Sequence, residues 1–148
     1  MNTTMQVISL PISHSMHLMI PLAAIAEIVA FSTPTIENFS PNWVLGFIKW
    51  RELILPLCAF EKFDEEIFFS MNPKSKIAIF NGTQGLINLP FYAVMIQGAP
   101  RVMHLQPKDV EDIKESIWWL RSRVASVDVL IPRLDRIEAS LSAVMTLT

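Results

Sequence analysis

The sequence predicts a mainly β fold with an antiparallel barrel architecture and one helix at its C-terminal end. Short apolar runs rich in aromatic and β-branched residues recur between turn signals. Strand-like and helix-like segments do not alternate, which argues against a parallel nucleotide-binding sheet. A chain of 148 residues is long enough for one domain with a sizeable core or for two small lobes that share one.

Two short strands are predicted near the N-terminal end, in "MQVISLPIS" and "HLMIP", around a turn at His14 and Ser15. The next segment, "PLAAIAEIV", begins with alanines that favour a helical turn from Pro21 to Ala26. It continues into "EIVAF", which has the branched and aromatic bias of a strand. We therefore predict a turn followed by a strand.

The segment "NWVLGFIKWRELILPL", residues 42–57, predicts a hairpin of two buried strands. Both faces of its first arm are apolar, so both must be covered. Pro56 cannot donate a ladder hydrogen bond, which places it at an edge or a bulge. The charged tip, residues 49–52, is either a solvated turn or a recognition point held on a rigid scaffold.

A second hairpin is predicted around Asn81-Gly82, a dipeptide that supplies positive φ in tight turns, between apolar arms at 77–80 and 85–96. "QPKDVEDIK" begins with a proline and an acidic first turn, which favours a short helix. "SIWWLRSRV" alternates as a strand does.

The tail "PRLDRIEASLSAV" predicts an amphipathic helix, because a proline suits the first helical turn and an apolar stripe follows it. The stripe consists of Leu134, Ile137, Leu141 and Val144.

The composition limits the partners of this chain. Apolar residues make up 51% and charged residues 18%, so the chain must bury much of its surface or offer some of it to a partner. The longest apolar segment, residues 18–31, is broken by Pro21 and Glu27 and is shorter than the roughly 20 residues that span a bilayer, so no membrane insertion is expected. No Lys or Arg precedes Lys49, so a secretory signal would lack its basic region and the cytoplasm is the expected location. The net charge of −2 without a dense basic patch argues against nucleic acid as a partner.

No pattern in the sequence indicates catalysis, a metal or a cofactor. The single cysteine, Cys58, excludes an internal disulfide, and its apolar surroundings predict an inert buried side chain. His14 and His17 would point to opposite faces of a strand, which makes a poor metal site. The glycines are scattered, no G-x-S-x-G elbow occurs, and the acidic residues 64–66 lie in a charged loop. The residues therefore predict a non-enzymatic binding module.

"IPLAAIAEIV" followed by "PNWVLGFIKWRELILPL" resembles the first half of the CheW-like coupling proteins of bacterial chemotaxis. The positions that match the family pattern are Pro21, Ile25, Glu27, Ile28, Pro41, Trp43, Val44, Gly46, Phe47, Ile48, Trp50, Arg51, Ile54, Leu55, Pro56 and Leu57. The resemblance covers about residues 18–60 and is thinner in the second half. "WW" and the "IPRLDRIEASL" tail are similar to variants that serve type IV pilus and twitching-motility systems.

This resemblance implies one domain over residues 1–148, made of two intertwined, SH3-like, five-stranded β-barrels with short helical turns and a C-terminal helix. It implies no catalytic site and a role as an adaptor in signal transduction, which bridges a CheA-like histidine kinase to methyl-accepting chemoreceptors. Weak self-association is also expected, because apolar strands near an edge can pair with another copy. The alternative is a small-ligand-binding β-barrel or a subunit of an unrelated assembly, and only the ligand-binding alternative needs a concave apolar pocket with a few polar groups.

The resemblance also implies which residues bind a partner, namely Ile25, Glu27, Gly46, Trp50 and Arg51. A guanidinium on a tight turn can fork onto a carboxylate or a carbonyl. Glu27 is then either the internal partner of Arg51 or a contact for a basic group on another protein.

Two departures from the family pattern affect these expectations. Arg51-Glu52 stands where the family has Arg-Gly, and a non-Gly residue at positive φ costs about 1 kcal/mol or forces another turn shape. Leu89-Pro90 stands where the family has an acidic residue. Binding to the kinase is therefore favoured over receptor coupling in its usual form.

Overall fold

The computed structural model describes residues 4–13, 16–35, 41–64, 67 and 69–146. This part of the chain forms eleven strands, three short 3₁₀ helices and one α-helix. In chain order they are β1 (Met5–Pro11), β2 (His17–Pro21), a 3₁₀ helix (Leu22–Ala24), β3 (Ile25–Ala30), β4 (Val44–Trp50), β5 (Leu53–Cys58), a 3₁₀ helix (Phe60–Phe63), β6 (Lys76–Asn81), β7 (Phe91–Ile96), β8 (Arg101–Leu105), a 3₁₀ helix (Pro107–Asp109), β9 (Val110–Glu115), β10 (Trp119–Val124), β11 (Val127–Pro132) and α1 (Leu134–Thr146).

The strands form two sheets, which confirms the mainly β class. The six-stranded sheet has the order β8-β1-β2-β11-β10-β9, and the five-stranded sheet has the order β3-β6-β7-β5-β4. The chain begins in the six-stranded sheet, builds the five-stranded sheet from β3 to β7, and then returns, so the two are intertwined as expected. Neither ladder closes into a full barrel among the described residues, but a bridge between Thr35 and Phe47 ties the segment after β3 to β4 at the opposite edge.

Three apolar clusters account for the high apolar content. The central core lies between the sheets and α1 and includes Leu18, Phe80, Tyr92, Trp119 and Ile137. The five-strand core lies on the other face of the five-stranded sheet and includes Ile48, Trp50, Leu57 and Ile79. The six-strand core consists of Val7, Met19, Leu105, Val124 and Val129. Successive residues of most strands alternate between two of these clusters, so both faces are covered, as predicted for β4.

The first predicted hairpin is confirmed by the antiparallel pairing of β4 with β5, which runs to Trp50 opposite Leu53 and leaves a two-residue turn. Pro56 lies opposite Phe47, and pairing of β5 with β7 begins only at Leu57. Pro56 therefore stands where β5 has one hydrogen-bonded neighbour, which explains how a residue without an N–H is accommodated.

The second hairpin forms, but its predicted turn is wrong. Asn81 pairs with Phe91 inside the β6–β7 ladder, so residues 82–90 form a longer loop. Gly82 is required by close packing, because a Cβ there would clash with the carbonyl oxygen of Leu89. Leu89 is buried in the central core, so this loop has packing of its own.

The predicted helix in "QPKDVEDIK" is limited to the 3₁₀ helix at Pro107–Asp109. From Val110 the chain continues as β9 and pairs with β10. Strand pairing outweighs a local preference based on one proline and an acidic turn. The predicted turn and strand in "PLAAIAEIV", the strand in "SIWWLRSRV" and the C-terminal helix are confirmed.

The first two predicted strands are confirmed as β1 and β2, whereas the turn at His14 and Ser15 lies outside the described residues, as do Glu65 and Glu66 of the acidic loop. Three stripe residues of α1, Ile137, Leu141 and Val144, are buried. No helix in the described ranges is long and apolar enough to cross a membrane.

Candidate functional site

The tip of the β4–β5 hairpin is a tight turn without glycine. Its two central residues, Arg51 and Glu52, have φ values of 47° and 65°. Positive φ at both positions is the pattern of a type I′ turn, which normally takes Asn-Gly or Gly-Gly. Glu52 therefore keeps the left-handed conformation and bears a cost of about 1 kcal/mol.

Trp50 and Arg51 converge on one carboxylate oxygen. The indole Nε1 of Trp50 donates a hydrogen bond of 2.8 Å to Oε2 of Glu27. The guanidinium Nη2 of Arg51 donates to the same oxygen at 3.3 Å, and its central carbon lies 4.5 Å from the centre of the Trp50 ring. Trp50 is buried and packs edge-on against Phe91, with 4.9 Å between ring centres. The three side chains form one unit anchored in the five-strand core, which we call the tip cluster.

Arg51 remains available to a partner despite these contacts. Its side chain is 68% exposed, whereas that of Glu27 is 40% exposed. An ion pair with this exposure contributes little to the free energy of unfolding. The guanidinium is therefore held in position while most of its surface stays accessible to a partner. Glu27 thus has one of the two roles considered for it, as the internal partner of Arg51.

A bulge in β3 explains how Glu27 reaches the tip. The pairing register with β6 shifts between Ile25 and Glu27. In a regular strand these two side chains would share a face, but Ile25 packs against the central core while Glu27 contacts Trp50 of the five-strand core. The structure therefore places Ile25 on the same strand as Glu27 but on the opposite side of the sheet.

Gly46 shapes the hairpin from within. It is buried, has a φ of 148°, and stands where the register of β4 on β5 shifts. This conformation favours glycine, and a bulge at this point lets Val44 pack on the central core while Ile48 packs on the five-strand core. Gly46 therefore sets the course of β4 toward the tip.

Two exposed apolar side chains lie beside Arg51. Leu53 is 40% exposed and Ile54 is 67% exposed. The sequence prediction treated "LILPL" as one buried arm and missed them. The signal was available, because Ile54 pairs with Lys49, and a lysine opposite indicates a solvent-facing position. Leu53 pairs with Trp50 and lies on the face of the tip cluster, whereas Ile54 pairs with Lys49 on the opposite face. The tip cluster and these two side chains mark the end of the hairpin, which we take as the candidate partner surface.

A second carboxylate, Glu138 of α1, is buried and was not predicted from the sequence. Its two oxygens accept hydrogen bonds from the backbone N–H of Thr83 at 2.7 Å and of Gln84 at 3.1 Å, from the Thr83 hydroxyl at 2.8 Å and from the Tyr92 hydroxyl at 2.9 Å. Burial, reinforced by this carboxylate, raises the pKa of Tyr92. Glu138 thus fastens loop 82–90 to the terminal helix, which is a structural role.

Two further buried groups have shifted proton affinities. Cys58 is buried, as predicted, and burial raises the pKa of its thiol well above the ordinary value. Glu61, in the 3₁₀ helix after β5, is buried, and neither carboxyl oxygen has a hydrogen-bond partner. Burial raises its pKa to about 7. The positive charge of Lys62 and the polar groups of the Glu61 backbone and of Gln97, which do not form a hydrogen bond with the carboxyl oxygens, lower the pKa by less. No group of three or more potential metal ligands is present in the part of the chain described.

Comparison with known proteins identifies the family. A model of the CheW-like domain matches residues 11–127. The fold is similar to that of the scaffolding protein TtCheW from Thermoanaerobacter tengcongensis, with a TM-score of 0.71 and 13% sequence identity over 90% of this chain and 87% of that chain. None of the curated protein sequences compared with the chain matches it. Because the family model spans most of the two intertwined sheets and includes the tip cluster, the chain belongs to the CheW-like domain family.

Proposed function

We propose that this protein is a non-enzymatic, cytoplasmic signalling adaptor that couples a CheA-like histidine kinase to methyl-accepting chemoreceptors or to a type IV pilus chemosensory pathway that serves twitching motility. Membership of the CheW-like family and the fold shared with a scaffolding protein support an adaptor. The observation that carries the proposal is Arg51, an exposed cation held at a rigid tip beside exposed Leu53 and Ile54.

Each predicted site residue has a distinct part in this proposal. Arg51 is the partner anchor, because arginine is enriched at the energetic centres of interfaces. Trp50 and Glu27 position its guanidinium through the two hydrogen bonds to one carboxylate oxygen. Gly46 acts through the backbone conformation of β4, which directs the hairpin. Ile25 acts through its packing on the central core, which holds β3 in place. Leu53 and Ile54 supply the apolar contact that surrounds the charge.

The partner most consistent with this surface is the adaptor-binding domain of the kinase. An acidic group on that domain would meet the Arg51 fork, and an apolar patch would cover Ile54. Receptor coupling in the usual form of the family would lack one acidic residue in this chain. Leu89 and Pro90 stand where the family pattern has an acidic residue, and neither side chain carries a carboxylate that could contact a receptor.

The test is calorimetric titration of variants against the adaptor-binding domain of the cognate kinase, with thermal melts alongside. Arg51→Ala should weaken binding by roughly 2 kcal/mol or more, as expected for an interface hot spot. Its unfolding free energy should change by less than about 0.5 kcal/mol, because the ion pair that is lost is largely exposed. Arg51→Lys should not restore full affinity, because a point charge lacks the planar fork.

Three further variants test whether the loss of binding is specific to Arg51. Lys49→Ala is the matched control on the same tip and should change binding by less than about 1 kcal/mol. Glu52→Gly relieves a positive φ and should leave binding equal or better. Ser126→Gly relieves a φ of 67° in the β10–β11 turn, away from the tip. It shows whether a gain in stability alone changes the binding affinity. Equal small losses for Arg51→Ala and Lys49→Ala would reduce the tip to a solvated turn and refute the proposed site.

A further inference from the structure

A cavity of about 550 Å³ lies on the face of the six-stranded sheet that carries the six-strand core. Its floor includes Leu105, Val124 and Val129, which are buried. Its rim includes Val102 and Val127, which are about half exposed. Small-ligand sites in proteins commonly have volumes of roughly 300–1,000 Å³ and combine an apolar lining with a few polar groups. The size and the lining of this cavity both agree with such a site.

Three polar side chains line the same cavity, and the strand register brings them together. Ser9 of β1 lies directly opposite Arg101 of β8. His17 of β2 lies opposite Pro11, two residues along β1 from Ser9 and therefore on the same face of the sheet. Leu105 is at the other end of β8, opposite Met5. The cavity thus has a polar corner and an apolar floor that extends away from it.

The side chains of the polar corner have no partner within the described part of the chain. Among those residues, neither Ser9, His17 nor Arg101 has a side-chain hydrogen bond or an ion pair, and each of the ion pairs present involves a different arginine. Burial lowers the pKa of His17 and so favours the neutral imidazole, which can donate one hydrogen bond. Arg101 is exposed and supplies the full positive charge.

We propose that this cavity binds an amphipathic carboxylate, with an unbranched acyl chain over the apolar floor and the carboxylate on Arg101. The planar guanidinium matches a carboxylate with two parallel hydrogen bonds, and Ser9 and His17 can add one each. A small polar anion would leave the valine and leucine floor in water. A neutral hydrocarbon would make no hydrogen bond to the polar corner.

This site is separate from the tip cluster. It belongs to the six-stranded sheet, whereas Arg51 ends a hairpin of the five-stranded sheet. Occupancy of the cavity can therefore be measured on the protein without the kinase, and its outcome does not depend on the adaptor role.

The experiment is titration of the full chain with sodium decanoate below its micellar concentration, followed by calorimetry and by backbone amide shifts. We expect saturable binding of one molecule per chain, with shifts at residues 99–105 and 124–129. Decanol has the same hydrocarbon chain as decanoate but no charge, and its affinity should be lower by about tenfold or more. The reason is that a hydrogen bond to a charged group contributes roughly 1.5–3 kcal/mol. Acetate, which keeps only the head group, should not bind measurably.

Charge-reversed variants locate the carboxylate. Arg101→Glu should weaken decanoate binding by about tenfold or more. Lys108→Glu makes the same charge change at an exposed residue outside the cavity and should leave the affinity unchanged. Val127→Asp places a second charge on the rim and should also weaken binding, so it decides the result if Arg101→Glu fails to fold by circular dichroism.

Several results would overturn the proposal. These are the absence of saturable decanoate binding, equal affinity for decanoate and decanol, shifts confined to other strands, or equal losses in the Arg101→Glu and Lys108→Glu variants.

Discussion

Glu61 predicts that the protein loses stability as the pH rises from about 4.5 to 7. In the unfolded chain this carboxyl has an ordinary pKa of 4.5, whereas burial raises its pKa in the folded protein to about 7. Below the lower value both states hold the proton, so the group makes no difference. Between the two values only the folded state holds it, so the unfolding free energy falls with rising pH. Above the upper value both states are ionised and the loss stays constant.

The structure sets the size of this loss. Neither carboxyl oxygen has a hydrogen-bond partner, and Lys62 is the charged group that acts on it among the described residues. A rise in pKa from 4.5 to about 7 corresponds to roughly 3 kcal/mol of unfolding free energy. This is a large share of the 5–15 kcal/mol that is typical of a whole domain.

The assay is urea denaturation of the parent protein and of Glu61→Gln at a series of pH values from 4 to 8.5. Glutamine resembles the protonated carboxyl in shape and cannot ionise. The stability of the variant relative to the parent should be about zero near pH 4 and should rise to roughly 3 kcal/mol above pH 7. All other titrating groups are common to both proteins and cancel in the difference. A difference that stays constant across the whole range would refute the reasoning, because the carboxyl would then ionise equally in both states.

Three other predictions follow from the buried groups and the exposed apolar surface. Glu138→Gln should lower the unfolding free energy measured in urea by roughly 1–3 kcal/mol, because this carboxylate accepts four hydrogen bonds. An unchanged urea midpoint would show that Glu138 does not hold loop 82–90 to α1. Cys58→Ser should destabilise by roughly 1–3 kcal/mol through a buried hydroxyl while the affinity for the kinase domain stays the same, and loss of affinity in a folded variant would contradict this. Sedimentation should detect weak, concentration-dependent self-association through exposed apolar residues such as Ile54, and a strict monomer at high concentration would count against it.

The sequence was sufficient for most strands because their signals are local. Alternation of apolar residues, branched and aromatic composition, and the prolines around each run placed β1 to β6 and β10 close to their positions in the structure. The arm predicted for β7 begins at Gly85 rather than at Phe91, and no strand was predicted at β8 or β11. Prediction from the sequence failed where a segment has two possible local conformations and strand pairing selects one of them. Asn81-Gly82 has the composition of a tight turn, yet the β6–β7 ladder continues through Asn81, and Gly82 is needed for contact with Leu89. The acidic segment from Val110 has no apolar face of its own and becomes a strand because β10 offers it a partner.

The tip cluster was only partly predictable for the same reason. A glutamate that matches a family pattern could be proposed as a partner of Arg51. The bulge that separates Ile25 from Glu27 has no signature in the residues around it. The burial and hydrogen bonding of Glu61 and Glu138 could not be predicted from the sequence either, since both residues lie in ordinary amphipathic segments. One is buried without a donor and the other with four, and this depends on which distant segments pack over them.

The two glycine-free turns explain why the Arg51-Glu52 departure leaves the arginine well placed. The β10–β11 turn has φ values of 50° at Ala125 and 67° at Ser126, close to those at the β4–β5 tip. Each turn joins strands that pair up to the residues flanking it, Val124 with Val127 and Trp50 with Leu53. A left-handed residue costs roughly 1–2 kcal/mol, whereas slipping the register would turn every buried side chain of the hairpin to the wrong face. The ladder therefore imposes the turn shape, and Arg51 takes its direction from the strands and from Glu27 rather than from the residue that follows it.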